Sequence, residues 1–212
     1  MKMKMFGESV SFMSESSSED SQSPEAKGQL KFMGKQIESL FESDFGKDFD
    51  VVVGDSRIKV HKFILMVTSP VFKTMIRSGL IESSTNELLI EDFDFEVVEQ
   101  MIEAMYNRKP SKLDRMPKKL LEISNKYELH FLKRRCEKAI IPTLSVANLV
   151  DTLIWADKFQ AQLLEEASMN FLKRNYDEVR TYKDWEKLLD HPNVHMKITD
   201  FLGSPKKRMK LG

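Results

Sequence analysis

Residues 49–72 read FDVVVGDSRIKVHKFILMVTSPVF, and this stretch contains the local signals that decide the fold. Its first five residues are rich in β-branched side chains, which favour a strand, and residues 57–60 alternate in polarity as a returning strand does. The intervening Gly-Asp-Ser, residues 54–56, supplies a turn, so the pattern predicts a β-hairpin. Ser69-Pro70 then restarts the chain, because proline is tolerated in the first turn of a helix. A hairpin followed by two helical segments is therefore predicted.

The sequence on both sides of this stretch is mainly helical. Residues 87–91 read as one more short strand, and residues 97–105 carry an apolar stripe at helical spacing. From Pro117 onward, nearly every segment has the same spacing. Upstream, order is expected to begin at Leu30 with a helix whose apolar residues are Phe32, Met33, Ile37, Leu40 and Phe41. The pattern predicts an α+β fold with a small sheet.

The composition of the chain excludes several classes of function. Its 212 residues contain 33 basic and 33 acidic side chains, so no global field favours nucleic acid or an anionic membrane as a partner. Cys136 is the only cysteine, which excludes an internal disulfide and indicates a reducing intracellular compartment. No segment approaches the ~20 apolar residues of a membrane span. No phosphate-binding glycine loop or nucleophile motif is present, so neither a cofactor nor catalysis is expected.

The motifs around the hairpin resemble the BTB/POZ family. In that family an Asp-Val strand leads to an apolar-x-x-His-Lys segment and then to Ser-x-x-Phe, and residues 49–53, 58–65 and 69–72 match this order. Residues 90–93 and 97–106 are similar to the following strand and helix of the family. The resemblance implies an α+β BTB/POZ fold, in which a short β-sheet is flanked by a helical cluster. His61 occupies the family's His-Lys position, and we interpret it as a hydrogen-bonded structural residue.

The resemblance continues into the second half of the chain. Residues 144–157, Trp185 and His191-Pro192 are similar to the helical extension of the speckle-type branch of the family. Four segments are therefore predicted: a disordered Ser-rich acidic tail at 1–28, a BTB/POZ domain at 29–141, an all-α BACK-like extension at 142–202, and a basic tail at 203–212. Speckle-type proteins also carry a MATH domain that captures substrates, and the polar segment before Leu30 is too short for such a β-sandwich.

The first helix is a candidate dimer interface. The resemblance implies that two copies pair through this helix, at Met33, Ile37, Leu40 and Phe41. Burying each large apolar side chain against a second copy would contribute roughly 1.5–3 kcal/mol. The alternative is that the helix packs on its own subunit.

The loop after residue 79 is a candidate cullin contact. Cullin-binding relatives use an apolar-x-Glu triplet at this place, which the resemblance assigns to Leu80-Ile81-Glu82. Phe72 and Tyr127 are candidate secondary contacts. The alternatives are that Leu80 packs back on the preceding helix turn and that Phe72 belongs to the core.

The C-terminal tail carries a basic cluster at Lys206, Lys207, Arg208 and Lys210. Nuclear import is the functional interpretation of such a cluster, and solubilising charge is the alternative. The resemblance implies a non-catalytic adaptor of a cullin-3 ubiquitin ligase, dimeric and nuclear with a cytoplasmic pool. A second hypothesis is a BTB dimerisation scaffold or nuclear co-regulator that does not bind cullin-3 and pairs with itself or with MATH-containing BTB proteins.

Overall fold

The computed structural model describes residues 23–78 and 85–203. The first half consists of helix α1 (Pro24–Glu42), strands β1 (Phe49–Val53) and β2 (Ser56–Val60), helices α2 (Lys62–Thr68) and α3 (Pro70–Arg77), strand β3 (Glu87–Leu89) and helix α4 (Phe95–Met105). The second half consists of helices α5 (Pro117–Lys126), α6 (His130–Ile140), α7 (Leu149–Lys158), α8 (Gln162–Arg174), α9 (Tyr176–Thr181) and α10 (Pro192–Gly203), with 3-10 helices at Ile141–Thr143 and Lys183–Asp190. The predicted α+β class, with a helical C-terminal extension, is confirmed.

The three strands form one sheet in the order β2-β1-β3. Strands β1 and β2 are the antiparallel hairpin that the sequence predicts, with Phe49 opposite Val60. Gly54 in the turn has a φ of 56°, a backbone conformation that glycine adopts without steric cost. Strand β3 pairs with β1 in parallel, with Asp50 opposite Glu87. Because parallel neighbours need a crossover, α2 and α3 lie between the two strands in the chain.

Helix α1 begins earlier than the sequence analysis predicts. The Ser23 hydroxyl accepts a hydrogen bond from the backbone N–H of Ala26 at 3.2 Å, and Pro24 occupies the first turn. The prediction of a disordered tail reaching residue 28 is therefore wrong for residues 24–28. A serine cap and a proline in the first turn are local signals for a helix start. They begin α1 here although none of its side chains is fully buried.

Two hydrophobic clusters share the extension. The first cluster contains the sheet and helices α2 to α6, and it continues into the extension through Ala156, Phe159 and Leu164. The second cluster is built from the other sides of α7 and α8, with Leu153 and Leu172 among its members. Since α7 and α8 contribute to both clusters, the helical extension is packed on the part of the chain that precedes it.

Three helices of the first cluster end in the same kind of corner. Each corner has a buried aromatic residue followed by a residue with positive φ, which closes the helix in the left-handed conformation. The next backbone N–H in each case bonds back to the helix, as from Leu129 to the carbonyl of Ser124 at 2.7 Å. The pairs are Tyr106–Asn107 after α4, Tyr127–Glu128 after α5 and Phe159–Gln160 after α7. Hairpins α5–α6 and α7–α8 are therefore built alike.

Candidate protein-interaction surfaces

The four predicted dimer residues of α1 divide between two environments. Ile37 and Phe41 are half-buried and pack against the first hydrophobic cluster of their own chain. Met33 and Leu40 are 60% and 38% exposed. Ile37 and Phe41 are thus partly covered by their own chain, which was the alternative, and a contact of all four residues with a second copy stays a prediction. Met33 and Leu40 remain as an open apolar strip.

Helix α1 is held by the corner that follows α4. The ring of Phe41 meets the ring of Tyr106 edge-on, with centroids 5.3 Å apart, and the Arg108 guanidinium lies 4.7 Å from the Phe41 ring centre. Asn107 donates from Nδ2 to Glu38 Oε1 at 3.1 Å. A Cβ added to Gly34 would lie 2.6 Å from that same Nδ2 atom. A glycine therefore allows the close approach of α1 to this corner.

His61 and Tyr106 connect this corner to the start of α2. The Tyr106 hydroxyl accepts the backbone N–H of His61 at 2.8 Å and lies 2.8 Å from His61 Nδ1. The His61 Nε2 atom donates to the Phe45 carbonyl at 3.0 Å, since a carbonyl oxygen can only accept. Burial raises the pKa of Tyr106, which keeps this hydroxyl protonated. The predicted structural role of His61 as a hydrogen-bonded residue is confirmed.

Apolar side chains on α2 and in the loop after α1 are exposed as well. Phe63 and Val67 lie one turn apart on α2 and are 70% and 64% exposed, while Ile64 and Leu65 of the same helix are buried. Phe45, in the loop after α1, is 88% exposed. These residues are not predicted as a surface from the sequence, although the helical spacing of Phe63 and Val67 was the available signal. We call Met33, Leu40, Phe45, Phe63 and Val67 the open apolar surface.

Phe72 and Tyr127 are core residues. Phe72 is fully buried, Tyr127 is 3% exposed, and their rings stack with centroids 4.3 Å apart. The Ser69 hydroxyl joins them, because it donates to the Tyr127 carbonyl at 2.7 Å and accepts the Phe72 N–H at 3.1 Å. The prediction that these two side chains contact a partner is therefore wrong: the inner face of α3 packs on the corner after α5. Burial also raises the pKa of Tyr127.

Two predicted functional segments lie outside the described residues. The triplet Leu80-Ile81-Glu82 falls in the gap between Ser78 and Thr85. The basic cluster at Lys206, Lys207, Arg208 and Lys210 follows Gly203, the last described residue. The roles assigned to both segments stay predictions.

Histidine, cysteine and carboxylate side chains are the groups that would hold a metal ion or react with a substrate. Within 23–78 and 85–203, no group of three or more His, Cys, Asp or Glu side chains is arranged to hold a metal ion. Across the same ranges, no helix is both long and apolar enough to cross a bilayer. Cys136 is buried, and this burial raises the pKa of its thiol to about 12. Because the thiolate is the reactive form, this cysteine is a structural residue at neutral pH.

Comparison with known proteins identifies the family. The model of the BTB/POZ domain family matches residues 37–144, about half of the chain, and the chain belongs to this family. It is 33% identical over 150 residues to BTB and MATH domain-containing protein 42 of Caenorhabditis elegans, a match that covers 69% of this chain and 37% of that protein. The chain thus spans little more than a third of that relative's length.

Two solved BTB domains are also similar to this chain. The BTB domain of human gigaxonin shares 20% identity at a TM-score of 0.42, over 59% of this chain and 97% of the other. The BTB domain of zebrafish PATZ1 shares 17% identity at a TM-score of 0.43, over 57% of this chain and 98% of the other. The family assignment rests on the family model, and it confirms the resemblance to BTB/POZ proteins. This family consists typically of non-catalytic protein-interaction adaptors.

Proposed function

We propose that this chain is a dimeric, non-catalytic adaptor that recruits a cullin-3 scaffold and so promotes ubiquitination of a bound protein. The observation that carries the proposal is the open apolar surface on α1 and α2 within a BTB/POZ domain. An adaptor has to present surfaces to other proteins, and these side chains are apolar and exposed. A cluster of exposed apolar side chains on a folded domain marks a contact with another protein.

Pairing of two copies is supported by the way the surface is built. Met33 and Leu40 lie at the edge of a helical stripe whose neighbouring apolar residues, Ile37 and Phe41, are already packed on the chain's own core. The helix is therefore fixed before a partner arrives, which lowers the ordering cost of association. A two-fold arrangement would bury each residue of the surface twice, once from each copy.

Cullin binding is proposed at Leu80-Ile81-Glu82, by the family resemblance. The described flanks of this segment are α3, anchored by buried Phe72 and Ile76, and β3, anchored by buried Leu88. Both ends of the loop thus start from the core. The extension that follows is packed on the same core, so a partner could contact the loop and the extension as one rigid surface.

Co-precipitation with cullin-3 tests this part of the proposal. The parent chain is expected to bind, and Leu80→Asp and Glu82→Lys are each expected to reduce binding severely, because one introduces a charge at an apolar contact and the other reverses a charge. Leu30→Asp is the matched control, since Leu30 is 57% exposed and lies in the first half of α1, outside the proposed cullin contact. Lack of cullin-3 binding by the parent chain would refute this function.

A scaffold that does not bind cullin-3 is the second candidate. The open apolar surface would accept the equivalent surface of a related BTB protein as readily as a second copy, because apolar contacts are non-directional. MATH-containing BTB relatives would then supply substrate capture. A pulldown that recovers such relatives without cullin-3 favours this candidate over the first.

We also propose that the chain works in the nucleus. Lys206, Lys207 and Arg208 form a compact basic run of the kind that import receptors bind. Changing these three residues to alanine is expected to move the protein to the cytoplasm, as seen by imaging of a fluorescent fusion. An unchanged nuclear signal contradicts the assignment.

A further inference from the structure

The extension contains a groove that is separate from the open apolar surface. Helices α8 and α10 form its walls, and its volume is about 470 Å³. Met169 and Phe201 supply apolar lining, while Glu165, Glu166 and Lys197 stand along the walls. Met169 is buried and Phe201 half-buried, so the lining is continuous with the second hydrophobic cluster.

One end of this groove is acidic. Lys197 is already paired with two carboxylates, Asp157 and Glu165, each at 2.8 Å. Glu166 is exposed beside Glu165. At the other end, the Lys173 ammonium lies 5.3 Å from the centre of the Phe201 ring. Acidic groups therefore exceed basic ones at the Glu165 end, and a basic ligand with some apolar surface suits that end best.

A segment with these properties is joined to the groove wall. Helix α10 ends at Gly203, two positions after Phe201, and residues 204–212 follow with the sequence SPKKRMKLG. This segment combines four basic side chains with the apolar Met209 and Leu211. At roughly 3.3 Å per extended residue, residues 204–210 can span on the order of 20 Å. The rise along α8 from Glu165 to Met169 is only about 6 Å, so the tail is long enough to pass both residues.

The relative direction of helices α8 and α10 defines the path that residues 204–212 would take along the groove. Lys197 contacts Glu165 and Phe201 lies against Lys173, so α8 and α10 run in the same direction. The segment would therefore turn back after Gly203 and run antiparallel to both helices toward the acidic end. Because the ligand is covalently attached, its local concentration at the groove is high and weak contacts suffice.

We infer that the basic tail, residues 204–212, docks in the groove between α8 and α10 of its own chain. Along this path Pro205 covers Met169, Lys206, Lys207 and Arg208 lie along Glu165 and Glu166, and Met209 and Leu211 follow beyond them. In this state the basic cluster is shielded from other proteins. The consequence for nuclear import rests on the import function proposed above, whereas the docking itself does not.

Limited proteolysis of the full chain tests the docking. Trypsin cleavage after the tail lysines is followed by mass spectrometry in the parent, in Glu166→Lys, and in the control Glu178→Lys, which reverses an exposed charge on α9. We expect Glu166→Lys to be cleaved in the tail severalfold faster than the parent at low salt, with the control like the parent. At roughly 0.5 M salt, where the Debye length is only a few Å, the difference should disappear. Equal cleavage of parent and Glu166→Lys at low salt overturns the inference.

Carbodiimide cross-linking identifies the occupant. A cross-link between a tail lysine and Glu165 or Glu166 within one chain supports docking in its own groove. In a mixture of isotopically light and heavy chains, cross-links exclusively between chains would show that a second copy's tail occupies the groove, which overturns the inference. Neither measurement reads import, so a failed import assay removes the nuclear assignment and leaves the docking result intact.

Discussion

Helix α1 and the Phe72–Tyr127 pair use their apolar side chains in opposite ways. Phe72 and Tyr127 come from elements far apart in the chain and stack on each other with almost no exposed surface. Within residues 24–42, by contrast, none of the α1 side chains is fully buried, and the helix is attached through the corner at Tyr106. The first contact closes the core, and the second leaves an apolar strip available to another protein.

The difference between these regions separates stability from recognition. Losing contacts at Phe72 should lower the free energy of unfolding, because a cavity forms in a region that cannot relax into solvent. Losing contacts at Met33 or Leu40 should change association more than stability, because these side chains are 60% and 38% exposed. The predictions below test this separation, beginning with the largest expected effect.

Truncation of Phe72 should be the most damaging change. Phe72→Ala is expected to lower the free energy of unfolding by about 3–5 kcal/mol, since it removes a fully buried ring from its stack on Tyr127. Urea denaturation measures this value. Phe45→Ala is the matched control at an 88% exposed position, and it should change stability by less than about 0.5 kcal/mol. Similar losses for both variants would contradict the assignment of Phe72 to the core.

Charges placed on the open apolar surface should break the dimer. Met33→Asp with Leu40→Asp is expected to weaken self-association at least about a hundredfold, equivalent to about 3 kcal/mol, while the urea midpoint of the monomer changes little. Analytical ultracentrifugation over a range of concentrations measures the dissociation constant. A parent chain that is itself monomeric would contradict the assignment of Met33 and Leu40 to self-association.

The control for this experiment adds the same charge elsewhere on α1. Gly28 and Ser39 are exposed, and helical spacing puts them away from Met33 and Leu40. A Cβ at Gly28 meets no atom within 4 Å. Gly28→Asp with Ser39→Asp should therefore leave self-association close to that of the parent. Equal weakening by both pairs would indicate general charge repulsion rather than loss of an apolar contact.

Removing the Tyr106 hydroxyl should have a smaller effect. Tyr106→Phe leaves the ring against Phe41 but removes the hydroxyl that accepts the backbone N–H of His61. Because that N–H is left unpaired, the free energy of unfolding is expected to fall by about 1–3 kcal/mol. Tyr176→Phe in the second cluster is the control. Combining Tyr106→Phe with His61→Ala should lower the free energy of unfolding by less than the sum of the single effects. The reason is that both changes remove the same hydrogen bond, between the Tyr106 hydroxyl and His61 Nδ1. Strict additivity in urea denaturation would disprove this coupling.

The ion pair between Glu42 and Arg108 should matter least. The Glu42 side chain is 70% exposed, and exposed pairs contribute at most about 1 kcal/mol, so Glu42→Gln should lower the free energy of unfolding by less than that. The same measurement at high salt should show a still smaller difference. A larger loss would mean that this pair, rather than the Phe41–Tyr106 contact, holds α1 to the domain.

The sequence alone determined the local elements and the family. The hairpin follows from β-branched residues around a glycine turn, and the helices follow from apolar residues at helical spacing, because both patterns depend on neighbours a few positions away. The start of α1 could also have been predicted, since Ser23 and Pro24 are a local cap signal that serine-rich composition obscured. The predicted hydrogen-bonded role of His61 was correct as well.

Only the tertiary structure decided which apolar side chains belong to the core. Phe41 and Met33 lie on one helical stripe, yet Phe41 packs on Tyr106 while Met33 stays exposed. Phe72 is equally apolar and is closed off by Tyr127. A stripe shows that a helix has an apolar side, but the residues that cover it come from elements distant in the chain. Whether a side chain is buried by its own chain or left for a partner therefore depends on packing that no local pattern contains.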